Sequence, residues 1–320
     1  MISQSENSLY VQKVNQKILD FLKESSPSAV FGQNIISGSR LGGLGKGLDQ
    51  LPNVMAINST NSENALCGMG FGLSLKGIPS MFLMKQHDFS LLALDQLVNT
   101  YNSIRGKRML SPFVLFMVVV DSGFEGPQAS LNSLDEYASL TKAQVHYLIT
   151  IESIERTFEL ITKPDLHIVV IAQSLLKKNM YMSESEFLVK DDFILFQNKE
   201  ELTQNKKSLI VNFGVNLDAV TQFQELTIKN SKYYDLMQVT RIHDEVIENL
   251  LKMCRNYKNV IILDNGKSLI SFSQKLALNL SQERIVFRYF PRIHSKRWSE
   301  VNDDSHEVTP EEILESMTDL

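Results

Sequence analysis

The chain has 320 residues, 43% hydrophobic and 22% charged, with a formal net charge of −5. That composition is ordinary for a globular protein, and the length suits two domains. The acidic balance, with a pI near 5.8, leaves no basic footprint for nucleic acid, so that class of partner is not expected.

Cys67 and Cys254 are the only cysteines, too far apart in sequence to suggest a disulfide framework or a metal-ligand pair. The N-terminus, MISQSENSLY, lacks the basic and apolar regions of a secretory signal. The longest apolar stretch, residues 113–120, is about a third of a membrane-spanning helix. A soluble cytoplasmic protein is expected, with no membrane contact.

In chain order, residues 11–24 place Val11, Val14, Ile18, Phe21 and Leu22 on one helical face. Short runs rich in β-branched or aromatic residues at 29–31, 54–57, 80–84, 113–120, 145–149 and 167–171 read as strands. A helix is expected over 90–104, with Asp88 or Ser90 able to cap it. Strands alternating with helices imply parallel pairing and an α/β fold. The polar stretch QNKEELTQNKK, residues 197–207, is the best linker candidate, which puts a boundary near residue 195. Beyond it, strands are expected at 208–213, 234–239, 260–263 and 285–289, and helices at 217–224 and 244–254. Thr309, Pro310 and Glu312 form a capping-box pattern for a last helix.

Residues 39–48, SRLGGLGKGL, hold four glycines, which permit left-handed turns and close backbone approach. Leu48 stands where a P-loop needs Lys, so a mobile loop is a better reading than a phosphate cradle. Residues 61–99 begin NSENALCGMGFGLSLKG. Glu63 sits at a helix start, where the dipole favours an acid. Gly68, Gly72 and Gly77 can line one helix face for close packing against another helix or subunit, which would offset their cost of about 1 kcal/mol each. Cys67 reads as a small buried hydrophobe, Arg105 and Arg108 as a helix C-cap, and His243 as structural. The cations and aromatics of residues 288–298 suggest a subunit or carrier-domain contact.

Three sequence blocks, SENALCGMGFGLSLKG, HDFSLLALDQLVN and GFEGPQAS, resemble in order and spacing the pyrimidine-binding domain of transketolases and 2-oxo-acid dehydrogenase beta subunits. LGGLGKGL is similar to the loop ahead of that family's catalytic strand. Residues 239–242 and 260–266 resemble its C-terminal domain, so the likeness spans about residue 10 to 317. It implies two α/β domains, a pyrimidine-binding domain over 1–195 and a transketolase C-terminal-like domain over 196–320.

The resemblance assigns Glu63 as the carboxylate that hydrogen-bonds the aminopyrimidine of thiamine diphosphate. A buried carboxyl there shares a proton with the ring nitrogen and readies the thiazolium carbon as a nucleophile. Phe89 matches the aromatic residue that stacks on the aminopyrimidine; from the residues alone it reads as a core aromatic. Ala129 stands where the family presents a loop histidine, and His87 is the candidate to replace its acid–base function. No Gly-Asp-Gly motif occurs in the sequence, so the diphosphate and Mg2+ half of the site must come from an alpha-type chain, which implies an α2β2 assembly with a β–β contact. The expected activity is 2-oxo-acid decarboxylation or transfer of a two-carbon or acyl unit. The alternatives are a split transketolase subunit acting on ketoses and a non-catalytic subunit that keeps the fold.

Overall fold

The computed structural model describes residues 9–106, 108–121, 126, 128–178, 186–197, 208–214, 234–268 and 270–291. The helices expected at 217–224 and at the C-terminus, most of the polar linker, and residues 292–298 of the basic aromatic cluster lie outside the described residues. Among the described residues, no helix is long and apolar enough to cross a membrane.

The chain is α/β, arranged around two sheets. The first sheet contains β1 (Ser28–Gly32), β2 (Val54–Asn58), β3 (Ser80–Met84), β4 (Phe113–Val119), β5 (Gln144–Leu148) and β6 (Leu166–Ala172). A two-residue strand, β11 (Arg241–Ile242), completes it, in the order β11-β5-β6-β4-β3-β1-β2. β1 to β6 are parallel, and only β11 runs antiparallel, against β5. Every residue of β3, β4 and β6 is buried, as expected for parallel strands covered on both faces.

The flanking helices are α1 (Tyr10–Glu24), α2 (Glu63–Leu75), α4 (Leu134–Thr141) and α5 (Ile151–Leu160). A segment of mixed pitch follows β3: a 3-10 turn at His87–Ala93, a π turn at Gln96–Thr100, then α3 (Tyr101–Ile104). The regular helix expected over 90–104 is therefore broken into turns of different pitch. The chain runs from β1 to β2 on one side and then to β3 on the other side of β1. Such a reversal opens a crevice at the carboxyl ends of the strands, where α/β folds place their ligands.

The second sheet has the order β13-β12-β9-β10-β8-β7. Its strands are β7 (Glu186–Val189), β8 (Phe193–Gln197), β9 (Ser208–Phe213), β10 (Tyr234–Val239), β12 (Asn259–Asp264) and β13 (Val286–Pro291), with α6 (Val246–Cys254) and α7 (Phe272–Gln282) packed on each other. Residue 195 falls inside β8, and the β7–β8 hairpin pairs with β10 of this sheet. The proposed division of the chain accordingly moves from near residue 195 to ahead of Glu186, while β11 crosses back to the first sheet.

Asp192, in the β7–β8 turn, ties the crossing together. Its buried carboxylate accepts from Arg241 Nε at 2.8 Å and Nη2 at 2.6 Å, His243 Nε2 at 2.9 Å and Asn249 Nδ2 at 2.7 Å. Burial raises its pKa, but the His243 hydrogen bond, the Arg241 charge and the Asn249 hydrogen bond together pull it down to about 2. His243 is thus structural, as expected. The opposite case is Asp135 on α4, whose Oδ2 accepts from the Phe272 amide of α7 at 2.8 Å. Burial and the nearby Asp264 charge hold its carboxyl well above the usual carboxylate range, against that hydrogen bond.

Two predictions follow from these signs. Asp192→Ala, which removes the shortest partner of the Arg241 guanidinium and leaves it Gln144 and the more distant Asp191, is expected to cost about 3 kcal/mol in urea unfolding. The stabilisation from Asp192 is present above the ordinary carboxylate pKa and is lost as pH falls through about 2. Asp135 contributes with the other sign: its stabilisation is full below the ordinary carboxylate pKa and is lost as pH rises through its raised pKa. Asp135→Asn should therefore raise the melting temperature at about pH 8–9 and leave it little changed near pH 4.

Candidate active site

The carboxyl edge of β1, β2 and β3 carries the residues singled out from the sequence. Glu63 opens α2 directly after β2, with Ser62 at the N-cap position. Its side chain is 4% exposed, and its carboxylate accepts no hydrogen bond and meets no cation among the described residues. Glu63 lies in the first turn of α2, where the helix dipole favours an acid. One turn on, Cys67 is wholly buried. Burial, with a smaller contribution from the Glu63 charge, pushes its thiol pKa far up, so it is inert.

The depth of α2 is set by a glycine that the four- and five-residue spacing did not single out. A Cβ on Gly70 would lie 2.3 Å from Cε2 of Phe113, at the start of β4. Gly70 therefore allows α2 to lie flat on the sheet, where Phe71 meets Phe113 edge-on at 5.1 Å. The expected strip behaves otherwise. Gly68 would gain only ordinary contact with Gln96, and Gly72 has nothing within 4 Å. Gly72 lies on an exposed face with Ala65 and Met69.

α2 packs on the 3-10 turn that carries His87, Asp88 and Phe89, which brings the elements of Glu63 and Phe89 together. Phe89 is half-buried against the core. His87 is directed elsewhere. It is completely buried, with its ring edge-on to Tyr137 at 4.5 Å, and burial lowers its pKa to about 4, against the Asp88 charge. Ser90 Oγ donates to the His87 carbonyl at 2.6 Å and lies 3.2 Å from His87 Nδ1. Because that hydroxyl proton is used, Nδ1 is assigned the ring proton and Nε2 is left as a bare acceptor with no partner. The expected acid–base histidine is thus a neutral core residue in this conformation, because its short turn points the ring inward beneath α4.

Asp88 faces the loop that bears Ala129. Its carboxylate accepts from the Ser130 amide at 3.2 Å, Ser130 Oγ at 3.1 Å and the Leu131 amide at 3.2 Å. Ala129 pairs with Gly126 in a tight turn. The glycine-rich loop at 39–48 is folded on itself through its own backbone. Its amides donate to its own carbonyls, for instance Gly43 and Gly45 to Arg40 O, and Leu41, Leu44 and Leu48 are buried. Asn15 of α1 pins it through Leu44 O at 2.8 Å and Lys46 O at 3.0 Å.

A cavity of about 410 Å3 opens on the same edge, at the ends of β3, β4 and β6, within the size range of small-molecule sites. Leu41, Gly42, Lys85, Gln86, Gln173 and Lys177 are among its lining residues. Lys85 and Lys177 form no ion pair among the described residues. Nothing in the sequence analysis singled out these lysines, since lone lysines give no motif.

No protein-family model matches the sequence, and no curated protein matches it. Among solved structures, the chain is similar to a split-gene transketolase described as an inactive beta4 tetramer. The two share 12% sequence identity, 96% of each chain is covered, and the TM-score is 0.68. The fold is transketolase-like. The likeness extends over both sheets, so the transketolase-like architecture covers nearly the whole chain.

The glycine geometry makes a paired prediction. Gly70→Ala must push Phe113 or α2 aside and should cost about 1–3 kcal/mol. Gly72→Ala, with open space and better helix propensity, should be neutral or stabilising by up to about 1 kcal/mol in the isolated chain. Thermal melts of the two variants check the order.

Proposed function

We propose that the chain is the beta-type subunit of a heteromeric thiamine diphosphate enzyme that acts on a 2-oxo acid and transfers a two-carbon or acyl unit. The observation that carries this reading is Glu63 at the N-terminus of α2, a helix that packs on the turn bearing Phe89. A degenerate subunit has no evident need for this carboxylate, which argues against a purely structural role.

The residues present fit the cofactor. Glu63 would hold the aminopyrimidine nitrogen, keeping a proton between that nitrogen and its own Oε atom, while Phe89 presents a ring face to the heterocycle. When bound, thiamine diphosphate supplies the nucleophilic carbon that adds to the donor's carbonyl. Ala129 contributes no proton transfer, and His87 is too deeply packed to replace it, so the acid–base work of the second half-reaction falls to other groups. Lys85 and Lys177 beside the cavity suit an anionic donor. An alpha-type chain with the diphosphate- and Mg2+-binding motif completes the site in an α2β2 assembly. The exposed face of α2 and the exposed Leu91 and Leu92 of the following turn are the surfaces we propose for the β–β contact.

A second reading, a split transketolase subunit moving a ketol unit between sugars, is favoured by the similarity to the split-gene transketolase.

Co-expression with the Gly-Asp-Gly chain, titration with thiamine diphosphate and Mg2+, and turnover of 2-oxo acids against ketose phosphates test these readings together. Glu63→Gln should reduce kcat by about 10²–10⁴-fold. Phe89→Ala should weaken cofactor binding by about 1 kcal/mol. If the wild-type complex neither binds the cofactor nor consumes either donor class, the thiamine reading is wrong.

A further inference from the structure

We propose that Lys267 is a positioning residue of the site, holding the Ala129 loop against Asp88 through a peptide-bridged ion pair. Lys267 belongs to the loop after β12 in the second sheet's half of the chain. Its Nζ donates to the Ser130 carbonyl at 2.6 Å. The other end of the same peptide group, the Leu131 N–H, donates to Asp88 Oδ2 at 3.2 Å. An ammonium and a carboxylate thus face each other across one peptide, with its dipole aligned between them. Each charge polarises the group toward the other, and hydrogen bonds to ionised partners are the strong ones.

The surrounding contacts make this a clasp rather than a chance surface contact. Ser130 gives Asp88 two further bonds, from its amide and its hydroxyl. On the far side, the Lys267 amide donates to Asn132 O at 2.8 Å, and Asn132 Nδ2 reaches Asn265 O at 3.4 Å. Residues 130–132 are therefore gripped from both halves of the chain, and Ser130 and Asn132 are buried. Asp88 precedes Phe89 and Ser130 follows Ala129, so the clasp joins the aromatic residue to the loop at the same edge. Through Lys267, the second half of the chain reaches the loop that adjoins the site. The consequence for catalysis rests on the thiamine reading above; the clasp itself does not.

The test uses the full chain alone, by hydrogen exchange of peptides covering residues 128–133. Lys267→Met, which keeps the apolar stem, and Asp88→Asn should each speed exchange of the Leu131 amide by about tenfold or more. The double variant should add little to either, and Lys267→Arg should restore most of the protection. Unchanged exchange in Lys267→Met, fully additive effects, or no difference between Met and Arg would overturn the clasp. Should Lys267→Met fail to fold, Asp88→Asn and Lys267→Arg carry the comparison from either end. In the reconstituted complex, Lys267→Met should raise KM for the donor several-fold with a smaller change in kcat. Failure of the wild-type complex to bind thiamine diphosphate would bear on the functional reading, not on the exchange result.

Discussion

The seat of α2 on the first sheet is the constraint on which the site depends. Gly70 lies against the ring of Phe113 with no room for a Cβ, so the helix lies close to β4 and its first residue is drawn down to the sheet edge. The close packing there, with Phe71 against both Phe113 and Tyr101, offsets the conformational cost of glycine inside a helix. Glu63 stands in the first turn of that helix, where the dipole favours an acid.

Around this helix, the order of the strands converts separate loops into one edge. β1, β2 and β3 deliver the glycine-rich loop, Glu63 and the His87–Phe89 turn to the same end of the sheet, at the point where the winding direction reverses. Several amides of the glycine-rich loop donate to its own carbonyls. The second sheet is tied to the first by β11, by the Asp192 cluster and by the contacts of residues 264–272 with α4 and the Ala129 loop. These ties have different electrostatic character: Asp192 is stabilised as an anion by its donors, whereas Asp135 is buried beside like charge and favours its neutral form.

Much of the first sheet was legible because its strands are continuous apolar runs bounded by turn residues, and the seams fall within a residue or two of the expected ones. The β7–β8 hairpin was not. FILF at 193–196 is apolar enough for a strand, but its partner strand is short and mixed, and its membership of the second sheet rests on pairing with β10, far along the chain. β11 is two residues long and exists only through β5. In the candidate site, Glu63 and Phe89 were singled out through a spaced motif, whereas the buried position of His87 was not legible, since Lys-Gln-His before a helical turn carries no sign of which way the ring will face.

The sequence by itself determined the α/β class, the succession of strands and helices, and the place of Glu63 at a helix start, because apolar periodicity, capping and helix-dipole effects act over a few residues. Only the tertiary structure decided that Gly70 rather than Gly68 or Gly72 bears the close contact, that His87 is a neutral core residue, and that Lys267 meets Asp88 across a peptide. Each of these depends on which distant segments share a volume, and steric exclusion, desolvation and charge pairing take their sign from that neighbourhood.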